Sequence, residues 1–209
     1  TMQDQNAILN HQGYSSHAEG VTVGGDYQIN ENWVVGIDGG YSYSSMDLVG
    51  GSKVRDNAIP VGVHGVLHKD GWYAQMGGVY TLNMYENQRK IEFTGLSRTA
   101  KCNPMGHQIN GFGECGYDWQ VDKNWHIVPM ATTQFGKLWM EEYREDGAGA
   151  LNLKVLKQSQ ETFQTGLGSR FMYQAKWWGM NVVPQVYGTY QHEFLNNPRS
   201  VVAGFAEGG

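Results

Sequence analysis

The residues best suited by type to do chemistry are Asp26, Asp38, Glu114, Arg170 and Glu193, because carboxylates combined with an arginine are a common acid/base kit. They are scattered over most of the chain, so any shared site depends on the fold that collects them. His64 and His68 fall on one face of an extended chain. At four residues apart they lie about 13 Å from each other at strand rise and cannot both bind one metal directly. Cys102 and Cys115 could pair if a loop folded back, but two thiols make neither a disulfide framework nor a CxxC metal motif. No GxSxG, P-loop, HExxH or dinucleotide fingerprint is present, and no cofactor follows from the residues. The sequence is not read as an enzyme.

The elements that must position these residues are β-strands. Glycine (29), tyrosine (12) and tryptophan (7) are plentiful among the 209 residues, and no apolar stretch is long enough for a membrane-spanning helix. A formal charge of −5 with singly scattered Lys and Arg argues against nucleic acid as a partner. Apolar and polar residues alternate instead. Val21, Val23, Gly25, Tyr27 and Ile29 oppose Thr22, Gly24, Asp26 and Gln28, and after the turn Asn30-Glu31-Asn32 the pattern resumes from Trp33 to Ser44. A second hairpin runs from Ile59 to Leu67, turns at Lys69-Asp70-Gly71 and returns from Trp72 to Met84. A weaker run over about Gly106–Gln120 turns at Val121-Asp122-Lys123-Asn124 and returns from Trp125 to Phe135. The last pair, Phe163–Tyr173 and Val182–Tyr190, turns around Ala175–Trp178. Residues 1–17 show no clear period and are left open as a lead-in or the remnant of an earlier strand, with the strand pattern of one partial barrel domain occupying 18–209.

These runs are longer than the strands of most globular sheets and suit a tilted crossing of a hydrocarbon layer. Connections at 30–32, 69–71, 121–124 and 175–178 are short, whereas those expected at about 46–57, 86–105 and 138–157 are long and polar, the asymmetry of an outer-membrane barrel. The predicted fold is all-β: an antiparallel, transmembrane, up-and-down β-barrel with eight legible strands. Parity then assigns Val23, Tyr27, Val35, Ile37, Val61, Val63 and Val186 to lipid, and Asp26, Asp38, Gln75, Glu114, Gln134, Arg170 and Glu193 to a water-filled lumen, which accounts for the charges without catalysis. Trp33, Trp72, Trp125 and Trp178, each beside a short turn, are expected in an interfacial aromatic belt. Glycines on the lumen parity either admit a close-lying segment or relieve crowding where the sheet bends.

From about Gly20 to Glu193 the chain resembles the autotransporter β-domain. The resemblance is carried by Gly20-Val21-Thr22-Val23-Gly24-Gly25-Asp26, Gly36-Ile37-Asp38-Gly39-Gly40-Tyr41-Ser42, Gly71-Trp72-Tyr73 and Arg89. It continues through Glu142, Gly147-Ala148, Thr165-Gly166-Leu167-Gly168-Ser169-Arg170, Pro184 and His192-Glu193-Phe194. It implies a bacterial outer-membrane translocator that exports and anchors an N-terminal passenger in the same chain, is surrounded by outer-membrane lipid and is inserted by the barrel-assembly machinery. It also implies about twelve strands, so the pattern's end at Phe205 leads to the expectation of further strands beyond the eight, and of a secretion signal upstream of residue 1. A small outer-membrane adhesin acting through its loops is the other reading, and a barrel hydrolase with a loop-rim site finds no tight His/Asp constellation to support it.

Overall fold

The computed structural model describes residues 13–195 and 201–206. Its strands are β1 (Tyr14–Gln28), β2 (Trp33–Leu48), β3 (Lys53–Lys69), β4 (Trp72–Phe93), β5 (Leu96–Cys102), β6 (Met105–Tyr117), β7 (Trp119–Gln120) and β8 (Trp125–Met140). They continue as β9 (Tyr143–Arg144), β10 (Leu153–Val155), β11 (Gln158–Tyr173), β12 (Ala175–Trp177), β13 (Met180–Val182), β14 (Gln185–Glu193) and β15 (Ala203–Phe205). Eight long strands pair antiparallel in the order β1-β2-β3-β4-β6-β8-β11-β14, so the architecture is up-and-down. Among the described residues β1 and β14 do not pair with each other, and the sheet is open. No side chain of large volume is fully buried there, which is what a single-layer wall without a second packed sheet produces.

Two of the short turns share one local design. The Asn30 side-chain oxygen accepts the N–H groups of Asn32 and Trp33 at 2.9 and 3.0 Å, and Asp122 accepts those of Asn124 and Trp125 at 2.7 and 2.8 Å. Each Asx side chain thereby satisfies two donors that the turn leaves free. The carboxyl of Asp122 is held below its ordinary range by these two N–H groups. Asp70-Gly71 turns with φ of 51° and 83°, the pair of positive values that a two-residue hairpin matched to strand twist requires.

Several expected boundaries move. Residues 14–17 belong to β1, while residues 1–12 lie outside the described residues. Residues 46–57 are not a long loop: β2 continues to Leu48, β3 begins at Lys53, and only 49–52 connect them. Within 86–105, β4 and β5 form a hairpin turning at Gly95. The alternation fades there because these extensions rise past the apolar band, where outward side chains no longer need to be greasy: Lys53 meets Asp47 at 3.4 Å and Arg55 meets Glu86 at 3.9 Å. The connection at 175–178 is also longer than expected, because β12 and β13 form their own small hairpin between β11 and β14 and take Val182 out of the last long strand.

Candidate functional site

Register, which sequence parity alone does not supply, lines up one row of residues across the whole sheet. Asp26, Gly36, His64, Gly77, Phe112, Gln134, Gln164 and Glu193 are successive cross-strand partners from β1 to β14. Asp38, Gln75, Glu114 and Arg170 stand on the same face in neighbouring rows, so all seven residues singled out for a lumen share one side of the wall. Val23, Tyr27, Val35, Ile37, Val61, Val63 and Val186 have the opposite parity. Val35 is half-buried, but the other six are exposed, Val23 by 73% and Val186 by 72%. An apolar face of that size is not left against water by a soluble monomer. On β4 it runs from Trp72 to Met84, which at strand rise and the roughly 40° tilt of barrel strands is about 30 Å tall, the thickness of a hydrocarbon core.

The polar face holds two separate clusters. His64 on β3 places Nε2 2.9 Å from Asp26 Oδ1 and Nδ1 3.5 Å from Asp38 Oδ1, clasping three strands. The carboxylates lie at opposite ring nitrogens, so they do not converge on one metal position. His68 is elsewhere, stacked on Tyr73 with ring centroids 6.0 Å apart. In the second cluster Tyr73 Oη donates to Glu114 Oε1 at 2.8 Å, and Arg170 Nη2 stands 3.8 Å from the same oxygen. Glu193 is distant from both and accepts from Thr162 Oγ1 at 2.5 Å and from the N–H groups of Phe163 and Leu195 at 2.8 and 3.0 Å. The five charged residues first considered for catalysis therefore do not form one constellation.

The glycines on this face serve as seats for side chains of adjacent strands. A Cβ on Gly36 would collide with Asp26 and His64, one on Gly62 with the Asp38 carboxylate, one on Gly77 with the Phe112 ring at 2.6 Å, and one on Gly116 with the Tyr73 ring at 2.6 Å. Crowding by the wall's own side chains accounts for these four. Phe112 and Tyr73 were missed by sequence reading because an aromatic residue on the polar parity makes sense only once its glycine partner is known.

At the short-turn rim, Trp72 packs on Tyr117 with centroids 5.0 Å apart and Trp125 on Tyr173 at 4.8 Å. Trp33 opens β2 on the same rim. Trp178 stands at the apex of the β12–β13 turn with φ of 48° and is 86% exposed. The cysteines cannot bond to each other: Cys102 precedes β6, and Cys115 lies ten residues beyond Met105, which at strand rise is about 34 Å. Burial and the nearby Glu145 carboxylate push the Cys102 thiol up, which disfavours its thiolate.

The model of the autotransporter β-domain family matches residues 1–209, the whole chain. Esterase EstA of Pseudomonas aeruginosa is 26% identical over 196 residues, which are 91% of this chain and 29% of that protein, so the chain spans less than a third of the length of this curated relative. The translocator domain of the autotransporter NalP from Neisseria meningitidis superposes with a TM-score of 0.68 at 14% identity, covering 96% of this chain and 72% of that one. The β-domain of the Bordetella autotransporter BrkA superposes with a TM-score of 0.58 at 20% identity, covering 99% and 83%. These two share the fold. The family match over the full length and the two-sided wall agree: the chain belongs to the autotransporter β-domain family and is a translocator-type barrel domain of the bacterial outer membrane.

Proposed function

We propose that the face carrying Asp26, Asp38, Gln75, Glu114, Gln134, Arg170 and Glu193 lines an aqueous lumen, and that Val23, Tyr27, Val35, Ile37, Val61, Val63 and Val186 contact lipid. Trp33, Trp72, Trp125 and Trp178 form the belt on the short-turn rim, facing the periplasm. The observation that carries this reading is the unbroken row from Asp26 to Glu193, polar or small in all but Phe112, backed by an exposed apolar face. In the whole protein the barrel anchors a passenger, further strands pair with the edges of β1 and β14 that are open among the described residues, and the barrel-assembly machinery inserts it. Open edges support the need for further strands, since each unpaired backbone group costs several kcal/mol in hydrocarbon.

In this reading the barrel is a scaffold and performs no reaction, its charges serving the wall. Full-length protein carrying Glu114→Gln or Arg170→Gln is expected to display its passenger as the parent does. The pair is partly solvated, and in the Glu114→Gln variant the side-chain amide oxygen still accepts from the Tyr73 hydroxyl. Passenger that stays uncleaved in the Glu114 variant, where the parent releases it, would show a processing role instead.

A further inference from the structure

We infer that residues 141–157 are a strap across the outer mouth of the pore, latched by the Arg89–Glu145 ion pair. The inference rests on the translocator reading, which makes one face of the sheet the pore side. On β4, Asn87, Arg89 and Ile91 continue the parity of Tyr73, Gln75 and Gly77, and their partners on β5 are Cys102, Ala100 and Arg98. This is the pore-side face of the β4–β5 hairpin, raised above the apolar band. The connection from β8 to β11 lies against it: Ile91, Ala100 and Ala148 are buried together, with Leu151 against them.

Polar contacts fasten the segment at defined points. Arg89 donates from Nε and Nη2 to the two oxygens of Glu145 at 2.9 and 2.6 Å, and from Nη2 to the Leu151 carbonyl at 2.9 Å. Glu145, only 6% exposed, also accepts the Leu153 N–H at 2.9 Å. Its presence keeps the Arg89 guanidinium more firmly protonated than usual. Arg98 Nη1 donates to the Ala148 carbonyl at 2.6 Å, and Lys101 and Asp146 exchange backbone bonds of 2.8 and 2.9 Å. On its other side the segment is paired through β10 with β15, Leu153 opposite Phe205 and Val155 opposite Ala203. The strap thus joins the β4–β5 hairpin to the segment that follows β14.

Such a piece is suited to move as a unit. It is held to the hairpin at discrete points, the Ile91–Ala100–Ala148 cluster, the arginine contacts and the Lys101–Asp146 bridge, and not by a continuous strand ladder. The strands beneath are tied by continuous ladders. Passage of a chain through the mouth then requires the strap to leave the hairpin.

The test uses the full-length protein in cells with Lys101→Cys and Asp146→Cys in a Cys102→Ser background. A hydrogen-bonded antiparallel pair has Cα atoms about 5.5 Å apart, within disulfide range. The oxidised cross-link is expected to leave a heat-modifiable barrel in the outer membrane while surface passenger falls several-fold, and reductant is expected to restore it. Equal display in oxidised and reduced cells overturns the strap. A parent that never displays passenger overturns the translocator reading, and the strap with it. Independently, Glu145→Gln and Arg89→Lys, which weaken the fork, are expected to raise pore conductance in planar bilayers. Parental conductance in both variants, with heat-modifiability intact, also overturns it.

Discussion

The Tyr73 ring lies over Gly116, its direct partner on the neighbouring strand, and fills the volume that a side chain there would need. The Pro129 carbonyl closes the same space from β8 at 2.7 Å, so repacking Tyr73 alone cannot make room. Gly116→Val is therefore expected to destabilise the wall by about 1–3 kcal/mol, the usual range for overpacking. Gly188→Val, where a new Cβ meets nothing within 4 Å, is expected to be tolerated. Denaturant unfolding of the full-length barrel in lipid, with both variants side by side, checks the difference.

The two faces of β2 and β8 offer a direct test of sidedness. Ile37→Arg on the apolar face is expected to cost about 2–4 kcal/mol in a bilayer, and Gln134→Arg on the polar face much less. Gly40 is not a suitable control, since any Cβ there collides with the Val21 carbonyl. Equal tolerance of Arg at both positions in a membrane-insertion assay would remove the lipid assignment.

The Asp122 turn has a pH signature. Its folded carboxyl is depressed by the N–H groups of Asn124 and Trp125, so its stabilisation is complete above the ordinary carboxylate range and is lost as pH falls through the folded value. Asn30 makes the matching contacts without a titrating group. Asp122→Asn is accordingly expected to flatten part of the acid dependence of barrel stability while leaving the turn formed. Unfolding curves of parent and variant that remain parallel from neutral to acidic pH would contradict the assignment.

Glu145 accepts two donors of Arg89 and one backbone N–H, and replacing it by Ala removes that acceptor, leaving the Leu153 N–H without its partner and Arg89 with the Leu151 carbonyl alone. A loss of about 1–3 kcal/mol is expected locally, below the cost of breaking a fully buried pair because Arg89 is partly exposed. The loss should fall on 141–157 and spare the eight-strand sheet. Limited proteolysis checks it: cleavage within that segment should accelerate while the membrane-embedded strands stay protected.

Much of the wall was legible in the amino-acid sequence. The period-two alternation around Ile37, Val63 and Met76 assigned each residue to a face, because neighbouring side chains on a strand must point opposite ways and lipid demands that one side be apolar. Asn30, Asp70-Gly71 and Asp122 marked the turns, since their chemistry is local and needs no distant partner. What only the tertiary structure decided is non-local. Which residue lies opposite Asp26 or Tyr73 depends on register, so the His64 clasp and the glycine seats under Phe112 and Tyr73 could not be read from any one segment. Above the apolar band lipid no longer imposes alternation, and the strands at 46–57 and the hairpin at 86–105 therefore looked like loops although their backbones pair. The Arg89–Glu145 contact joins residues far apart in sequence through a segment without a period, and only the folded chain brings them together.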